Sequence, residues 1–559
     1  MKRWNILSAD DFKKNNLTLT SLLTLLLKNR GLTTKKTINT FLHPKLSDIS
    51  PASVGIDEKE LKKAIERIKK AITEKEHMVV FGDYDVDGIC GTAILWETLH
   101  SLGAHVTPYI PHRIDEGYGL SVKGVTNLLA ENTDVGLIIT VDNGIVAQKA
   151  TQTAKKRGVD VIITDHHVPA EKKPNAFAIV HTTNLCGAGV AYLLRQALCS
   201  HLKMKGNGED EYLELVALAT VADLVPLVGA NRTLTIYGLE SLKNTKRAGL
   251  LALMKEAGLD AKAIDIYSIG HIIAPRLNAM GRLESAMDSL RLLCTTNQNR
   301  AQLLAIKLNN TNKERQQLTI DAVLHAKTFI HKNNSSKNKL LFIADSSYQQ
   351  GVIGLIAGKL VEEYYRPSIV VSIGDLYSKA SARSIHGFNM IEFIRTAIDL
   401  LVDVGGHPMA AGFTIETQKL PFLQTHLENL ADNMLDSEKL KRVLRIDCEL
   451  PFSFITKEVY IAIQKLSPFG MNNPEPIFMS KRVVIEDMKL VGLEKRHVKM
   501  KLNQKSIEFE AIGFGLAEIT KGLHIGEAVN IAYTVSVDNW NGNSRLQLKI
   551  KDIQKYSSE

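Results

Sequence analysis

Met78-Val79-Val80-Phe81-Gly82-Asp83-Tyr84-Asp85-Val86-Asp87-Gly88 decides how this chain folds. A short apolar run breaks off at Gly82, and carboxylates then recur at every second position, at Asp83, Asp85 and Asp87. Such a run suits a strand buried on both faces, as in a parallel sheet covered by crossover helices. Two later runs repeat the arrangement. Gly136 to Val141 leads into Asp142-Asn143-Gly144, and Asp160 to Thr164 leads into Asp165-His166-His167. In open parallel sheets functional groups gather at the carboxyl ends of strands. Three neighbouring ends are therefore expected to present up to five aspartates and two histidines to one crevice. Asp223, closing the apolar run Leu215 to Ala222, is a further candidate.

Carboxylates gathered so closely repel one another and raise each other's pKa, and bound cations relieve that repulsion. Oxygen donors with one or two imidazoles and no thiolate suit manganese or magnesium better than structural zinc. Two ions bridged by a shared aspartate would polarise a phosphoryl group, generate hydroxide and stabilise the leaving oxygen. Phosphoester or phosphoanhydride hydrolysis is the implied chemistry. Taken singly, Asp142-Asn143-Gly144 reads equally as a turn, Asp83 as a helix cap and the His-His pair as a surface dipeptide. Their coincidence in one domain carries the inference.

At 559 residues, 45% of them hydrophobic and 23% charged, the chain has material for several hydrophobic cores. At roughly 150 residues per domain, three or four domains are expected. Intrinsic disorder and fibrous classes are excluded by this composition. The 69 basic and 60 acidic residues leave a net charge of +9, which favours a polyanionic partner. Five cysteines without a Cys-x-x-Cys spacing give neither a disulfide framework nor a zinc site, and a cytoplasmic setting is expected. No membrane span is expected: the leucine-rich stretch Leu17 to Leu27 reads as a buried helix, and the longer uncharged stretch Asn175 to Leu194 is interrupted by His181, Thr182, Thr183 and Asn184. P-loop, dinucleotide-binding and nucleophile-elbow patterns are all missing, which weakens NTP-driven, NAD-dependent and serine-hydrolase readings.

The domain reading is α/β. Residues 1–70 form a helical segment, ending in an amphipathic helix from Glu58 to Thr73, and a parallel-sheet domain covers 71–283. Between Gly281 and Gly351 there is no glycine or proline, and a long helix is expected to connect two domains over 284–335. Its middle, Asn309 to Gln317, is polar on every face and reads as solvent-spanning. A smaller α/β domain follows over 336–435, with strands at Leu340 to Ala344 and Ser368 to Ile373 and helices at Val352 to Tyr364 and Ile391 to Leu401. About five short strands over 436–559, with an Asn541-Gly542 hairpin signal, suggest a C-terminal β-barrel of the OB type.

The motifs Gly-Asp-Tyr-Asp-Val-Asp-Gly (82–88), Val-Asp-Asn-Gly (141–144), Thr-Asp-His-His (164–167) and Val-Ala-Asp (221–223) resemble the four motifs of the DHH phosphoesterase superfamily. The likeness extends through Arg113 to Leu120, Ala274 to Arg282, Ser381 to Ser384, Gly405 to Gly412, Pro468 to Gly470 and Asn539 to Gly542, and within the superfamily it points to the RecJ family of single-strand-specific DNA exonucleases. Val86 stands where alanine is usual, and the loop near 181–187 is shorter than the family's.

That resemblance implies a DHH domain, a DHH-associated substrate-binding domain and an OB-fold that binds nucleic acid. By matching position, Asp83, Asp85, Asp142, His166 and Asp223 would ligate two Mn2+ or Mg2+ ions, Asp142 bridging them. His167 would face the scissile phosphate, Asp165 would orient an imidazole and Asp87 would shape the Gly88 turn. Arg113, Arg276, Arg282, Ser381, Arg383, Gly406 and His407 would contact substrate, as would Trp540 in the barrel, where Phe514 and Tyr533 read as core. The implied activity is 5′ to 3′ exonuclease action on single-stranded DNA, releasing 5′-mononucleotides in recombination and repair. A monomer is expected, with single-strand-binding protein and a RecQ-type helicase as partners. Two alternatives stand beside it: a DHH phosphodiesterase acting on nanoRNA or cyclic dinucleotides, and a non-catalytic single-strand-DNA-binding replication scaffold.

Overall fold

The computed structural model describes residues 2–8, 17–113, 115–117, 119–204, 211–538 and 544–556. They form two compact units, one of residues 44–384 with 388–430, the other of the first 43 residues with 385–387 and 431–559.

The larger unit holds the parallel sheet that the apolar runs predict. Its five strands lie in the order Val106–Tyr109, His77–Phe81, Val135–Val141, Asp160–Asp165 and Ala178–His181. All four pairings are parallel. Alternate side chains enter two cores. Met78, Val80, Leu137, Ile139 and Ile162 pack beneath helices Glu58–Thr73, Val86–Ser101, Gly187–His201 and Leu213–Ala222. Val79, Phe81, Ile138, Val161 and Ile163 pack beneath Val122–Glu131 and Gln148–Lys156. Each aliphatic side chain so buried contributes roughly 1.5–3 kcal/mol. The run before Asp223 is helical, so that aspartate caps a helix C-terminus.

The connecting helix runs from Gln298 to Lys332, 35 residues, or about 52 Å at 1.5 Å per residue. Its middle is only partly solvent-spanning: Asn310, Lys313, Glu314, Gln316 and Gln317 are exposed, but one side of the stretch is covered. Asn309, Thr311 and Asn312 are buried, and their polarity serves hydrogen bonds. The Asn309 side-chain oxygen accepts from Arg276 Nε at 3.1 Å, Thr311 donates to Glu284 at 2.9 Å, and Asn312 accepts from Arg315 at 2.9 Å. The covered side packs against the polar, arginine-bearing helix Ala274–Leu283, and the other side is polar because it meets water.

Beyond it, a five-stranded sheet runs in the order Leu401–His407, Ala410–Glu416, Tyr377–Arg383, Ser368–Ser372, Leu341–Asp345. Only the last pair is parallel. The helix expected to reach Leu401 stops at Arg395, and the chain turns into a hairpin carrying Gly405, Gly406 and His407.

In the smaller unit, strands Phe478–Val491, His497–Gln504, Ile507–Gly513, Arg545–Lys555 and Ala528–Asp538 close a barrel, the first pairing back onto the last. The N-terminal segment is not purely helical. Arg3–Ser8 is a strand paired in parallel with Val443–Glu449, and Leu22, Leu25 and Leu26 of helix Leu19–Lys28 enter the barrel's core cluster. Among the described residues no helix is long and apolar enough to cross a membrane.

Candidate active site

Each acidic side chain is delivered by a different piece of local structure. Asp83 follows strand His77–Phe81 and is 1% exposed. Asp85 caps helix Val86–Ser101, its Oδ1 accepting the N–H groups of Asp87 and Gly88 at 2.9 and 3.2 Å. Asp87 does more than shape the Gly88 turn: its oxygens accept the N–H groups of Gly187 and Ala188, at 2.6 and 2.7 Å, opening helix Gly187–His201. Asp142 adopts φ 63°, a left-handed conformation that costs a non-glycine residue about 1–3 kcal/mol. A methyl group at Gly187 would stand 2.6 Å from the Asp142 Cβ, so the helix start must be glycine.

His166 joins these groups. Its Nε2 lies 3.1 Å from Asp142 Oδ1 and 3.6 Å from both Asp87 and Asp223. Three sets of potential ligand atoms lie within 4.8 Å of one another: Asp83, Asp85 and Asp142; Asp142, His166 and His167; Asp87, His166 and Asp223. Both oxygens of Asp83, Asp142 Oδ1 and His166 Nε2 are buried without a hydrogen-bond partner. Leaving such groups unsatisfied costs several kcal/mol per ion. Burial, with the neighbouring carboxylates adding to it, pushes Asp83 and Asp142 well above the usual carboxylate range and Asp223 up to about 8. Asp223 also faces the negative end of its own helix dipole. Oxygen-rich, orphaned and mutually repelling, the set fits Mn2+ or Mg2+.

His167 is arranged differently. Its Nδ1 lies 2.8 Å from Asp165 Oδ1, whose partner oxygen accepts the Ile145 N–H at 2.8 Å. Burial opposes the charge on His167, but the Asp165 hydrogen bond and the surrounding acids prevail and lift it to about 9. The His407 ring faces it, stacked at a centroid distance of 6.3 Å, so the hairpin of the second domain reaches this end of the site. Gly406, at φ 144°, shapes that hairpin.

The arginines gather beside the acids. Arg113 stacks on Tyr84, 5.0 Å from its ring centroid. Arg383 donates to Ser381 Oγ at 3.1 Å, and a methyl group at Gly354, in the first turn of helix Ile353–Tyr364, would meet both residues within 3.0 Å. Arg282 donates to the Gly351 carbonyl at 3.2 Å and borders a pocket of about 360 Å³ lined also by Ser346, Ser347 and Gln349. Burial first, then the charges of Arg113, Arg315 and Arg383, lower Arg282 to about 10. Arg276 is anchored on Asn309, a neutral partner that leaves its charge uncompensated.

Sequence reading missed Arg315, hidden in the polar stretch taken for solvent-spanning, and Asn278, whose side-chain oxygen accepts the Val86 N–H at 3.1 Å and ties the arginine-bearing helix to the acidic loop. In the barrel, Tyr533 is fully buried, whereas Phe514 is 59% exposed and no part of the core. Lys499 and Lys501 are ion-paired, with Glu510 and with Glu486 and Glu508. Trp540 lies outside the described residues.

Comparison with known proteins agrees with this layout. Residues 77–220 match the DHH family N-terminal domain, 337–433 the DHHA1 domain and 446–552 the RecJ OB domain. The single-stranded-DNA-specific exonuclease RecJ of Bacillus subtilis is 38% identical over 98% of this chain and 70% of its own length. Among solved structures, Thermus thermophilus RecJ in complex with Mn2+ superposes with a TM-score of 0.84 at 29% identity, covering 100% of this chain and 80% of its own. The Mg2+ complex gives 0.76 at 28%, covering 100% and 79%. The carboxylate and imidazole cluster is thus a centre of the kind that binds Mn2+ or Mg2+, and the chain belongs to the RecJ family of single-stranded-DNA-specific exonucleases, hydrolases built on the DHH domain.

Proposed function

We propose that this chain degrades single-stranded DNA from its 5′ end and releases 5′-mononucleotides, in DNA recombination and repair. One observation carries the reading: a cluster of orphaned acids stands beside a cluster of arginines that repel one another. The first needs cations and the second needs an anion, and a terminal phosphate held close to divalent ions satisfies both.

In this reading Asp83, Asp85, Asp142, His166 and Asp223 hold two Mn2+ or Mg2+ ions, with Asp142 common to two of the candidate ligand sets. Bound there, the ions supply charge neutralisation at the phosphoryl oxygens and hydroxide near neutral pH. Asp165 fixes the His167 ring through Nδ1, which directs Nε2 to the scissile phosphate. Cationic at neutral pH, His167 stabilises charge developing on that phosphate and gives a proton to the departing 3′-oxygen. Arg113, Arg282, Arg383 and Ser381 take the terminal 5′-phosphate, with the first turn of helix Ile353–Tyr364 offering N–H groups to it. Arg276 contacts a phosphate further along the strand, and Gly406 and His407 close the site opposite His167.

Chemistry is thereby assigned to residues 71–283, substrate capture to 336–435 across the 284–335 connection, and strand binding to the barrel of 436–559, where Trp540 and Phe514 offer stacking faces. A cytoplasmic monomer served by single-strand-binding protein and a RecQ-type helicase is the setting that the family resemblance supports. Asp142→Ala tests the core of the reading. It is expected to lower exonuclease activity in Mn2+ by more than about a hundredfold, as loss of a metal ligand should, while single-strand affinity persists. An unchanged rate would remove Asp142 from the centre.

A further inference from the structure

Three adjacent strands, two of which deliver acids at their carboxyl ends, gather a different set of donors at their amino ends. His77 opens the strand His77–Phe81, His105 directly precedes Val106–Tyr109, and Asp134 directly precedes Val135–Val141. Their potential ligand atoms lie within 4.8 Å of one another. His77 is buried, whereas His105 and Asp134 are exposed, so the cluster opens to solvent.

The ring of His77 is held at both nitrogens. Nδ1 lies 2.9 Å from Asp134 Oδ1, and Nε2 lies 2.9 Å from Thr107 Oγ1. The His105 ring stacks on that of His77 at 4.2 Å between centroids, so it has to turn about its side-chain bonds, on a backbone pinned where its carbonyl accepts the Met78 N–H at 2.8 Å, to aim a nitrogen at an ion held by His77. The hydrogen bond from His77 holds the Asp134 carboxyl below its usual range, so it is ionised at neutral pH.

We propose that His77, His105 and Asp134 form a second metal site, remote from the catalytic centre, for a borderline divalent cation such as Zn2+. Two imidazoles and a carboxylate, with an open position for water, form a familiar zinc ligand set. A separation of 2.9 Å between His77 Nδ1 and Asp134 Oδ1 is that of two donors sharing one ion, which takes the place of the proton between them. In the tautomer that binds the ion, Nδ1 is the ligand and the ring proton sits on Nε2, where Thr107 Oγ1 accepts it. Thr107 is thus the outer partner that a ligating histidine requires. The site joins the amino ends of three adjacent strands and prefers a softer ion than the oxygen-rich centre at their other ends.

The test is equilibrium dialysis of the full-length, chelator-treated protein against Zn2+, read as the difference between wild type and variant so that Zn2+ held by the catalytic centre cancels. Wild type is expected to bind one more Zn2+ per chain than His105→Ala or Asp134→Asn. Thr107→Val, which keeps all three ligands, should retain the equivalent with about tenfold weaker affinity. Exonuclease rates in Mg2+ should match across the four proteins. Equal Zn2+ binding by wild type, His105→Ala and Asp134→Asn overturns the proposal, as does an additional Zn2+ that disappears in Asp142→Ala but survives in His105→Ala.

Discussion

Asp165 Oδ1 lies 2.8 Å from His167 Nδ1 and also accepts the backbone N–H groups of His166 and His167, at 2.7 and 3.1 Å. One buried carboxylate oxygen therefore fixes the turn bearing both histidines and sets the charge of the second. Against the burial that would raise it, the His167 hydrogen bond and charge keep Asp165 below its usual range.

Replacing Asp165 by Asn keeps the shape but withdraws the charge that lifts His167 to about 9. Activity should fall by about 10²–10⁴-fold, the worth of a positioned acid–base group. The alkaline limb of the rate profile should lie at lower pH in Asp165→Asn than in wild type. An alkaline limb unmoved in Asp165→Asn would exclude His167 as the titrating group.

Metal-free stability should depend on pH in a direction opposite to that of an ordinary aspartate. Asp223 keeps its proton up to about pH 8 in the folded chain, while an unfolded aspartate loses it near pH 4. Between those values the folded state binds more protons than the unfolded one. This contribution is therefore complete below about pH 4 and is lost as pH rises through 8. Thermal melts of chelated protein should show Tm falling as pH rises from about 4 to 8 more steeply in wild type than in Asp223→Asn, with Mn2+ restoring wild type. Mn2+ affinity should rise over the same interval, because binding displaces protons; calorimetric titrations at several pH values measure it.

Arg276 and Arg315 are held by Asn309 and Asn312, amides that position a guanidinium without neutralising it. Changing either arginine to Gln should weaken single-strand binding and reduce the slope of log affinity against log salt by about one, as expected when one phosphate contact is lost. Filter binding across a salt series gives that slope. A slope equal to wild type in both variants would mean that these arginines serve only the packing of their helices.

Phe514 and Tyr533 make a matched pair for the barrel. Phe514→Ala should weaken single-strand affinity by about 1–3 kcal/mol through loss of base stacking. Tyr533→Phe removes a hydroxyl that shares a 2.9 Å hydrogen bond with Ser480 and donates to Leu450 at 3.3 Å. It should cost about 1–3 kcal/mol of stability and leave affinity unchanged. If the two variants behave alike, Phe514 acts through folding.

Much of this was legible in the sequence because it is local. Asp83, Asp142 and Asp165 lie within two residues of their strand ends, and buried parallel strands announce themselves as unbroken apolar runs such as Leu137 to Val141. What failed to show was non-local. The pairing of Arg3–Ser8 with Val443–Glu449 joins segments with no common periodicity. Burial of Asn309 and Asn312 depends on a helix that arrives from elsewhere in the chain, so a polar stretch read as solvated when it was hydrogen-bonded. Leu401 reads as the end of a helix from Ile391, and Gly405, Gly406 and Pro408 give no strand pattern, so the hairpin that carries His407 to His167 goes unseen.

The most direct measurement is a time course with Mn2+ on single-stranded DNA labelled at either the 5′ or the 3′ end, beside a labelled duplex. Immediate release of a labelled mononucleotide from the 5′ end alone, with the duplex intact and Asp142→Ala inert, is the predicted result. Release first from the 3′ end, or strand binding without degradation, would contradict the assignment of the arginines to a terminal 5′-phosphate and of the acids to hydrolysis of the phosphodiester that follows it.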